Sequence, residues 1–358
     1  MPYRSALVQA TNGDLYGTTF EGGSDGNGTI FKITPSGTLT TIYTFCSQGA
    51  FPDCPDGTYP AAELVRTPNG DFYGTTSGGG NLYFGAPSGT VFKVTPAGTL
   101  TTIYSFCSQS HCADGAIPNA GLVQATDGNL YGTTSSEGAP GGGTVFQITP
   151  AGALTTLYNF CSQSECTDGK APEATLVQAT GGNLYGTTYE EGANNFGTLF
   201  KITPSGTLTT IYSFCSQSGC TDGKYPFAEL MQATNGDIYG TTVYGGTHNS
   251  NGIGYGTIFS LSVGLGPFVK TQTTSGKAGS VVKILGTDLT GATSVTFNGT
   301  PAAFTVVRPS EITTTVRAGA TTGIVQVVAP NGTLSSNVPF RVPQNVAQEK
   351  ENTHETNR

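Results

Sequence analysis

The feature that most constrains the fold is an internal repeat. The motif Tyr-Gly-Thr-Thr occurs five times, with its tyrosine at positions 16, 73, 131, 185 and 239, in steps of 57, 58, 54 and 54 residues. A longer segment, GTIFKITPSGTLTTIYTF from Gly28, returns from positions 89, 143 and 197, and in part from 256. Repeats of roughly 40–50 residues are typical of β-propellers. We therefore expect an array of similar units.

Each unit is predicted to contain four short strands, named a to d, which in the fourth copy span 174–179, 184–188, 198–203 and 207–214. The a–b turns (TNGD, TDGN or TGGN) predict two-residue hairpins with positive φ, and Pro-Ser-Gly or Pro-Ala-Gly predicts a tight c–d turn. The strand TLTTIYSF has apolar residues on both faces, as expected where a sheet is covered on both sides. This favours a propeller, with a β-solenoid as the alternative.

The fifth copy has predicted strands a, b and c (229–233, 238–242 and 257–262) and lacks the TLTTIYSF segment. The array is then either five blades, one of them three-stranded, or an arc of a larger propeller. The fold class is all-β: a propeller of about five four-stranded blades over residues 1–264. A linker (265–267), a small immunoglobulin-like β-sandwich (268–342) and a polar tail predicted to be disordered (343–358) follow.

The eight cysteines form four close pairs, each in the connection from strand d to the next strand a. A local disulfide fits this spacing and is worth roughly 2 kcal/mol on the chain-entropy estimate. Zinc is a weaker interpretation, because the pairs belong to different units and the chain has only 3 histidines; free thiols are a further alternative. The predicted disulfides are Cys46–Cys54, Cys107–Cys112, Cys161–Cys166 and Cys215–Cys220.

Disulfides indicate an oxidising compartment, so the protein is expected to be extracellular or on the cell surface. The first residues, MPYRSALVQATNGDLYGTT, lack a signal peptide, and we therefore expect the chain to be N-terminally incomplete. A formal net charge of -8 argues against a nucleic-acid partner. No apolar run is long enough for a membrane span.

Binding is expected on the face that carries the b–c loops, because these loops differ between copies while the scaffold is constant. Their aromatic side chains suit a glycan or a surface protein, or alternatively pack on their own blades. The motif tyrosines are predicted core residues, and the turn acids (Asp14, Asp71, Asp237) and the Asp-Gly pairs (Asp56, Asp114, Asp168, Asp222) are predicted turns. The predicted ligand-binding residues are Phe20, Tyr83, Phe84, Tyr189, Phe196, Tyr244 and Tyr255.

Catalysis has little support in the sequence. No Gly-x-Ser-x-Gly, His-Glu-x-x-His or phosphate-loop motif is present. The histidines are scattered, and Glu190 and Glu191 are adjacent loop residues expected to be solvated. We predict no catalytic residue, no metal site and no cofactor, and the sequence does not predict an oligomeric state.

The repeat, with its long pattern LVQATxGxLYGTT…GTxFKITPxGTLTTIYxF, resembles the Gloeobacter/Verrucomicrobia (GloVer) tandem repeat over residues 5–263. The resemblance implies a secreted or surface bacterial protein with a propeller-like array. Residues 279–332 resemble an IPT/TIG immunoglobulin-like domain, which implies a spacer or adhesion role. We therefore expect a non-catalytic binding scaffold. The alternatives are a polysaccharide-degrading enzyme with carboxylates in the b–c loops, and a purely structural array.

Overall fold

The computed structural model describes residues 6–10, 12–248 and 254–343. The chain is an all-β protein of repeated four-stranded antiparallel sheets, and the only helices in the described parts are three-residue 3-10 turns. It divides into two compact units. Unit 1 comprises Met1–Gln232 and Ile238–Leu261, and unit 2 comprises Ala233–Asp237 and Ser262–Arg358. No helix in the described ranges is long and apolar enough to cross a membrane.

The first two repeats each form a sheet whose strands a to d lie in sequence order. Sheet 1 contains β1 (Val8–Gln9), β2 (Leu15–Thr19), β3 (Thr29–Ile33) and β4 (Leu39–Thr44). Sheet 2 contains β5 (Val65–Arg66), β6 (Phe72–Thr76), β9 (Thr90–Val94) and β10 (Leu100–Ser105); its b–c loop carries a small hairpin of β7 (Leu82–Tyr83) and β8 (Ala86–Pro87).

The third and fourth repeats follow the same plan, and each is preceded by a 3-10 turn, Ser110–Cys112 and Ser164–Cys166. Sheet 3 contains β11 (Val123–Gln124), β12 (Leu130–Thr134), β13 (Thr144–Ile148) and β14 (Leu154–Asn159). Sheet 4 contains β15 (Val177–Gln178), β16 (Leu184–Thr188), β17 (Thr198–Ile202) and β18 (Leu208–Ser213).

The fifth sheet differs from the others. After the 3-10 turn Ser218–Cys220 it contains β19 (Lys224–Pro226), β20 (Met231–Gln232), β21 (Ile238–Tyr244) and β22 (Ile258–Leu261). Both β19 and β20 pair with β21, at different points along that strand, and β22 pairs with β21 as well. No described strand pairs with β22 beyond β21, the place that strand d takes in sheets 1–4.

The a–b and c–d turns have the same type, and it is not the type predicted for the a–b turn. In the first repeat the N–H of Gly13 donates to the carbonyl of Ala10, and that of Ala10 donates to the carbonyl of Asp14. In the second repeat, where Pro68, Asn69 and Gly70 are all described, only Gly70 has a positive φ, at 97°, and in the first repeat Gly13 lies at 91°. This is the pattern of a three-residue loop with a glycine bulge, and the same pair of bonds joins Thr34, Gly37 and Thr38 in the c–d turn. The predicted two-residue a–b hairpin is therefore wrong.

Successive sheets of unit 1 pack face to face through apolar clusters. An inner sheet contacts the preceding sheet with one face and the following sheet with the other. Tyr16, Ile30 and Phe45 of the first repeat lie against Phe72, Phe92, Val94 and Leu100 of the second. Equivalent residues join the second repeat to the third and the third to the fourth. The motif glycine makes room for a core ring of its own sheet: a Cβ on Gly132 would lie 2.6 Å from Cζ of Phe146, the residue opposite it on β13. The motif tyrosines of repeats one to four are buried, as predicted.

The first and last sheets of unit 1 are more exposed than the sheets between them. Leu39 of β4 is 61% exposed, whereas the equivalent Leu100 of β10 is 9% exposed. At the other end Ile258 of β22 is 82% exposed, and the equivalent Leu199 of β17 is 1% exposed. No other described sheet of unit 1 covers the outer face of sheet 1 at Leu39 or that of sheet 5 at Ile258.

Unit 2 is built from two antiparallel four-stranded sheets over one apolar core. One sheet has the order β23 (Lys270–Thr271), β24 (Val281–Leu285), β28 (Glu311–Thr315) and β27 (Phe304–Arg308). The other has the order β26 (Thr300–Pro301), β25 (Ser294–Phe297), β29 (Val325–Ala329) and β30 (Gly332–Ser335). Ile284 and Ile312 of the first sheet share the core with Val295, Phe297 and Val327 of the second. The tail predicted to be disordered lies almost entirely outside the described residues.

Candidate functional site

The b–c loops and the connections between repeats lie together on one edge of the sheets of unit 1. The N–H of Thr58, in the connection into the second repeat, donates to the carbonyl of Gly78 in the b–c loop, at 2.9 Å. Ala116 and Lys170 make the same bond to Ser136 and Glu190 in the next two repeats, at 2.9 and 2.8 Å. The variable loops and the cysteine segments therefore form one continuous surface.

The structure contains four disulfides: Cys46–Cys54, Cys107–Cys112, Cys161–Cys166 and Cys215–Cys220. The Cα atoms lie 4.8, 4.1, 4.0 and 4.1 Å apart, respectively. In the three shorter loops both cysteines have a positive φ, for example 62° at Cys161 and 51° at Cys166. Because non-glycine residues adopt this conformation at a cost, the cross-link and its surroundings must hold each loop in shape.

An aspartate after each second cysteine is part of that support; Asp56, Asp114 and Asp168 are buried and Asp222 is half-buried. Asp168 is fully buried, and its Oδ2 accepts hydrogen bonds from the hydroxyl of Tyr158 (2.9 Å) and the N–H of Ser162 (3.1 Å). Burial raises the pKa of the equivalent Tyr104 to about 12, and its hydrogen bond to Asp114 adds to the rise. These aspartates tie the disulfide loop to strand d, a role that their interpretation as simple turn residues did not include.

Five aromatic rings meet where the fourth and fifth repeats join; we call them the junction aromatic cluster. Tyr225 is at its centre, with ring centroids 5.0 Å from Tyr189, 5.3 Å from Phe196 and 6.2 Å from Tyr244. Phe227 lies 5.4 Å from Tyr189. Tyr244 is exposed and the other four rings are half-buried, so the cluster presents ring surface to solvent.

Charged groups surround this cluster. The Lys224 ammonium lies 5.4 Å from the ring centroid of Phe196, within cation–π range, and Lys170 pairs with Glu190 at 3.9 Å. The pKa of Tyr189 is raised mainly by burial, with further contributions from Tyr244, Tyr225, Glu173 and Glu190. The site therefore combines stacking surface with both donors and acceptors of hydrogen bonds.

The structure brings together only some of the predicted binding residues. Tyr189, Phe196 and Tyr244 belong to the junction aromatic cluster. Phe20 instead stacks on Tyr59, at 5.1 Å, at the junction of the first two repeats. Tyr83 and Phe84 contact each other at 4.4 Å in the β7–β8 hairpin. Tyr255 lines a separate concavity with Thr247 and His248. These four residues do not join the cluster.

Sequence reasoning missed Tyr225, Phe227 and Lys224, because they lie in the connection after the cysteine pair and only the b–c loops were considered. A signal was available. The residue before the proline of this connection is Tyr59, Ile117, Ala171 or Tyr225 in successive repeats, all at φ between 54° and 60°. Variation at one fixed backbone position, on a face already predicted to bind, marks these residues as candidates.

A cavity of about 270 Å³ adjoins the cluster and is lined by the segment just before strand a in all five repeats. Phe227 lines it together with Glu63, Asn119, Glu173 and Glu229. Burial raises the pKa of Glu63. In the described parts of the chain no group of three or more His, Cys, Asp or Glu side chains is arranged to hold a metal ion. The equivalent alanines that also line the cavity are Ala6, Ala62, Ala120, Ala174 and Ala228.

Comparison with known proteins finds one family. The Gloeobacter/Verrucomicrobia repeat matches residues 1–166 and 85–305, and so covers most of the chain. No curated protein is similar in sequence.

Several solved structures are similar at low identity. A fungal alcohol oxidase of the AA5 family, in complex with copper, is 14% identical with a TM-score of 0.44, over 94% of this chain and 75% of that one. A protein of unknown function from Dyadobacter fermentans is 12% identical with a TM-score of 0.43, over 88% and 97%. A provisional gluconolactonase is 14% identical with a TM-score of 0.42, over 73% and 74%. All three TM-scores lie below 0.5, so no inference about this chain follows from them.

Proposed function

Because the chain belongs to the Gloeobacter/Verrucomicrobia repeat family, we propose that it is a secreted or cell-surface binding protein whose junction aromatic cluster binds a glycan without catalysis. The four disulfides support an oxidising location outside the cytoplasm. The family match itself fits a surface repeat protein. An adhesion role then follows from the ligand that the loop surface holds.

We further propose that the five sheets are propeller blades around one axis, with the loop surface on one side. The cavity lined by the segment before strand a of every repeat supports this arrangement. The uncovered faces at Leu39 and Ile258 favour an arc over a closed ring. Unit 2, with its two sheets over one core, fits an immunoglobulin-like spacer of the IPT/TIG type.

The observation that carries the glycan proposal is the position of Tyr225, which contacts three other rings and leaves ring faces half-exposed. An aromatic face is electron-rich and attracts the C–H groups of a sugar ring. Glu190 and Lys224 can then hydrogen-bond the hydroxyl groups. Rigid aromatic anchors with a few polar groups are the usual make-up of a small-ligand site.

A glycan array tests this proposal. Tyr225→Ala is compatible with the backbone, because Ala171 has the same conformation one repeat earlier. Binding of the best array ligand is expected to weaken roughly tenfold or more, the loss typical of a central aromatic anchor. The matched control is Tyr59→Ala, the same position at the first junction, which should leave binding unchanged. Equal loss in both variants, or no array signal, contradicts the proposal.

A second candidate is a polysaccharide-degrading enzyme, favoured by the raised pKa of Glu63 in a cavity that also holds Glu173 and Glu229. A raised carboxyl pKa beside other carboxylates is the arrangement of an acid catalyst. This candidate places the acids in the cavity instead of the b–c loops. Release of reducing ends from the bound glycan, abolished by Glu63→Gln, would support the enzyme; binding without hydrolysis supports the scaffold.

A further inference from the structure

The fifth sheet has an open edge next to a groove whose lining is partly apolar and partly polar. In sheet 4 strand c pairs along its length with strand d, with Phe200 opposite Thr210 and Ile202 opposite Leu208. The corresponding edge of β22 has no partner strand within the described residues. A free strand edge presents unpaired N–H and C=O groups and is a template for another strand.

Burial shows what the missing strand leaves uncovered. Phe259 and Leu261 of β22 are half-buried, whereas Phe200 and Ile202, their equivalents in sheet 4, are fully buried. A groove of about 310 Å³ runs beside these residues. Its other wall combines an apolar part and a polar part, formed by Leu199, Tyr212 and Phe214 and by Gln217, Thr221 and Asp222. The groove therefore lies between sheet 4 and the open edge of sheet 5.

Strand d of an inner sheet occupies the corresponding space. In sheet 2 the side chain of Leu100, on strand d, packs in the cluster that contains Ile42 and Tyr43 of the preceding sheet and Phe92 of its own. Leu154 and Leu208 take part in the next two clusters in the same way. Strand d therefore packs on the preceding sheet at three successive junctions. At the fourth junction sheet 4 presents the corresponding surface, but sheet 5 has no described strand d to cover it.

We propose that β22 and this groove bind an extended segment of a separate polypeptide that carries the strand-d pattern Leu-Thr-Thr-Ile-Tyr-x-Phe. The segment adds to β22 as an antiparallel strand, the mode known as β-augmentation. By the register of β17 and β18, its leucine lies opposite Leu261 and its tyrosine opposite Ile258. The leucine side chain fills the groove against Tyr212. This interaction is independent of the glycan site.

The probe is a fluorescent peptide of sequence TLTTIYSF, the segment at 207–214, titrated into the full chain by anisotropy. The expected result is one saturable site per chain. Amide hydrogen exchange with the same peptide is expected to slow at Ile258–Leu261. A peptide with its leucine replaced by aspartate (TDTTIYSF) should bind about tenfold more weakly or worse, because it loses the apolar contacts of the leucine and brings a second carboxylate into a groove that Asp222 already lines. A scrambled peptide of equal composition is the second control.

Three results would overturn the proposal. The first is no binding of TLTTIYSF, or equal binding of the scrambled peptide. The second is protection of strands in sheets 1–4 instead of β22, which would mean strand exchange. The third is self-association of the chain through β22 that the peptide does not compete with, measured by light scattering and exchange; a second copy would then be the occupant.

Discussion

The hydroxyl of Tyr212 donates a 2.6 Å hydrogen bond to Oδ2 of Asp222, which lies just beyond the disulfide loop that follows strand d. The same bond joins Tyr43 to Asp56, Tyr104 to Asp114 and Tyr158 to Asp168. The loop that carries the chain between repeats is thus held twice, by a covalent bond and by a carboxylate. This explains how non-glycine residues with positive φ persist at four successive junctions.

Replacing a buried carboxylate of this kind should destabilise unit 1. In Asp168→Asn an amide N–H₂ group must face donor groups, because Oδ2 accepts from Tyr158 and Oδ1 from the N–H of Gln163. We expect the free energy of unfolding to fall by about 1–3 kcal/mol, measured by urea denaturation. Asp25→Asn in an exposed b–c loop is the control. A similar change in both variants would contradict the structural role of Asp168.

The same contact makes stability depend on pH. Desolvation acts to raise the pKa of Asp222, but hydrogen bonds from Tyr212, Ser216 and Gln217 outweigh it, so the pKa is lowered on folding. The ionised carboxylate therefore stabilises the fold fully above the ordinary aspartate pKa of about 3.9, and this contribution is lost as pH falls below it. Thermal unfolding between pH 6 and pH 2 should show a steeper acid loss for the wild type than for Asp222→Asn. Parallel curves would contradict the assignment.

Each disulfide should add a measurable increment of stability. The double substitution Cys161→Ser with Cys166→Ser is expected to cost about 2 kcal/mol, because the loop gains freedom in the unfolded chain. Urea unfolding measures the loss, and mild reduction of the wild type should reproduce a larger one. Mass spectrometry without reductant should find no alkylatable thiol; eight free thiols would contradict both the cross-links and the extracellular location.

The motif glycine should not accept a methyl group. A Cβ on Gly186 would lie 2.6 Å from both Cδ2 of Leu176 and Cζ of Phe200, which are buried. Gly186→Ala is expected to destabilise unit 1 by about 1–3 kcal/mol through overpacking, as measured by urea unfolding. Gly266→Ala, where nothing lies within 4 Å of the added carbon, is the control and should be neutral.

Much of the repeat fold was predictable, because each strand sequence occurs several times in one chain. Strand b of the fourth copy spans Leu184–Thr188 as predicted, and strands c and d are one or two residues shorter than predicted. Strand a was placed at 174–179, but only Val177–Gln178 pairs with its neighbour. Leu176 of that segment packs into the cluster between sheets 3 and 4 without pairing, and an apolar pattern does not separate packing from pairing.

The candidate site was predicted less completely than the fold. Of the residues predicted from the b–c loops, Tyr189, Phe196 and Tyr244 lie in the junction aromatic cluster, but the ring that joins them, Tyr225, comes from the connection before the next strand. Its contribution depends on which loops meet at a junction, and that is set by long-range pairing such as Lys170 with Glu190. The repeat period of one sequence predicts the order of the strands. It does not predict which loops contact each other.

The most direct test of the glycan site is a crystal structure of the protein with the oligosaccharide selected by the array. We predict a sugar ring stacked on Tyr225 or Phe227, with its hydroxyl groups near Glu190 or Lys224. Density for the sugar only in the cavity lined by Glu63, Glu173 and Glu229, or only on the Phe20–Tyr59 pair, would contradict the account.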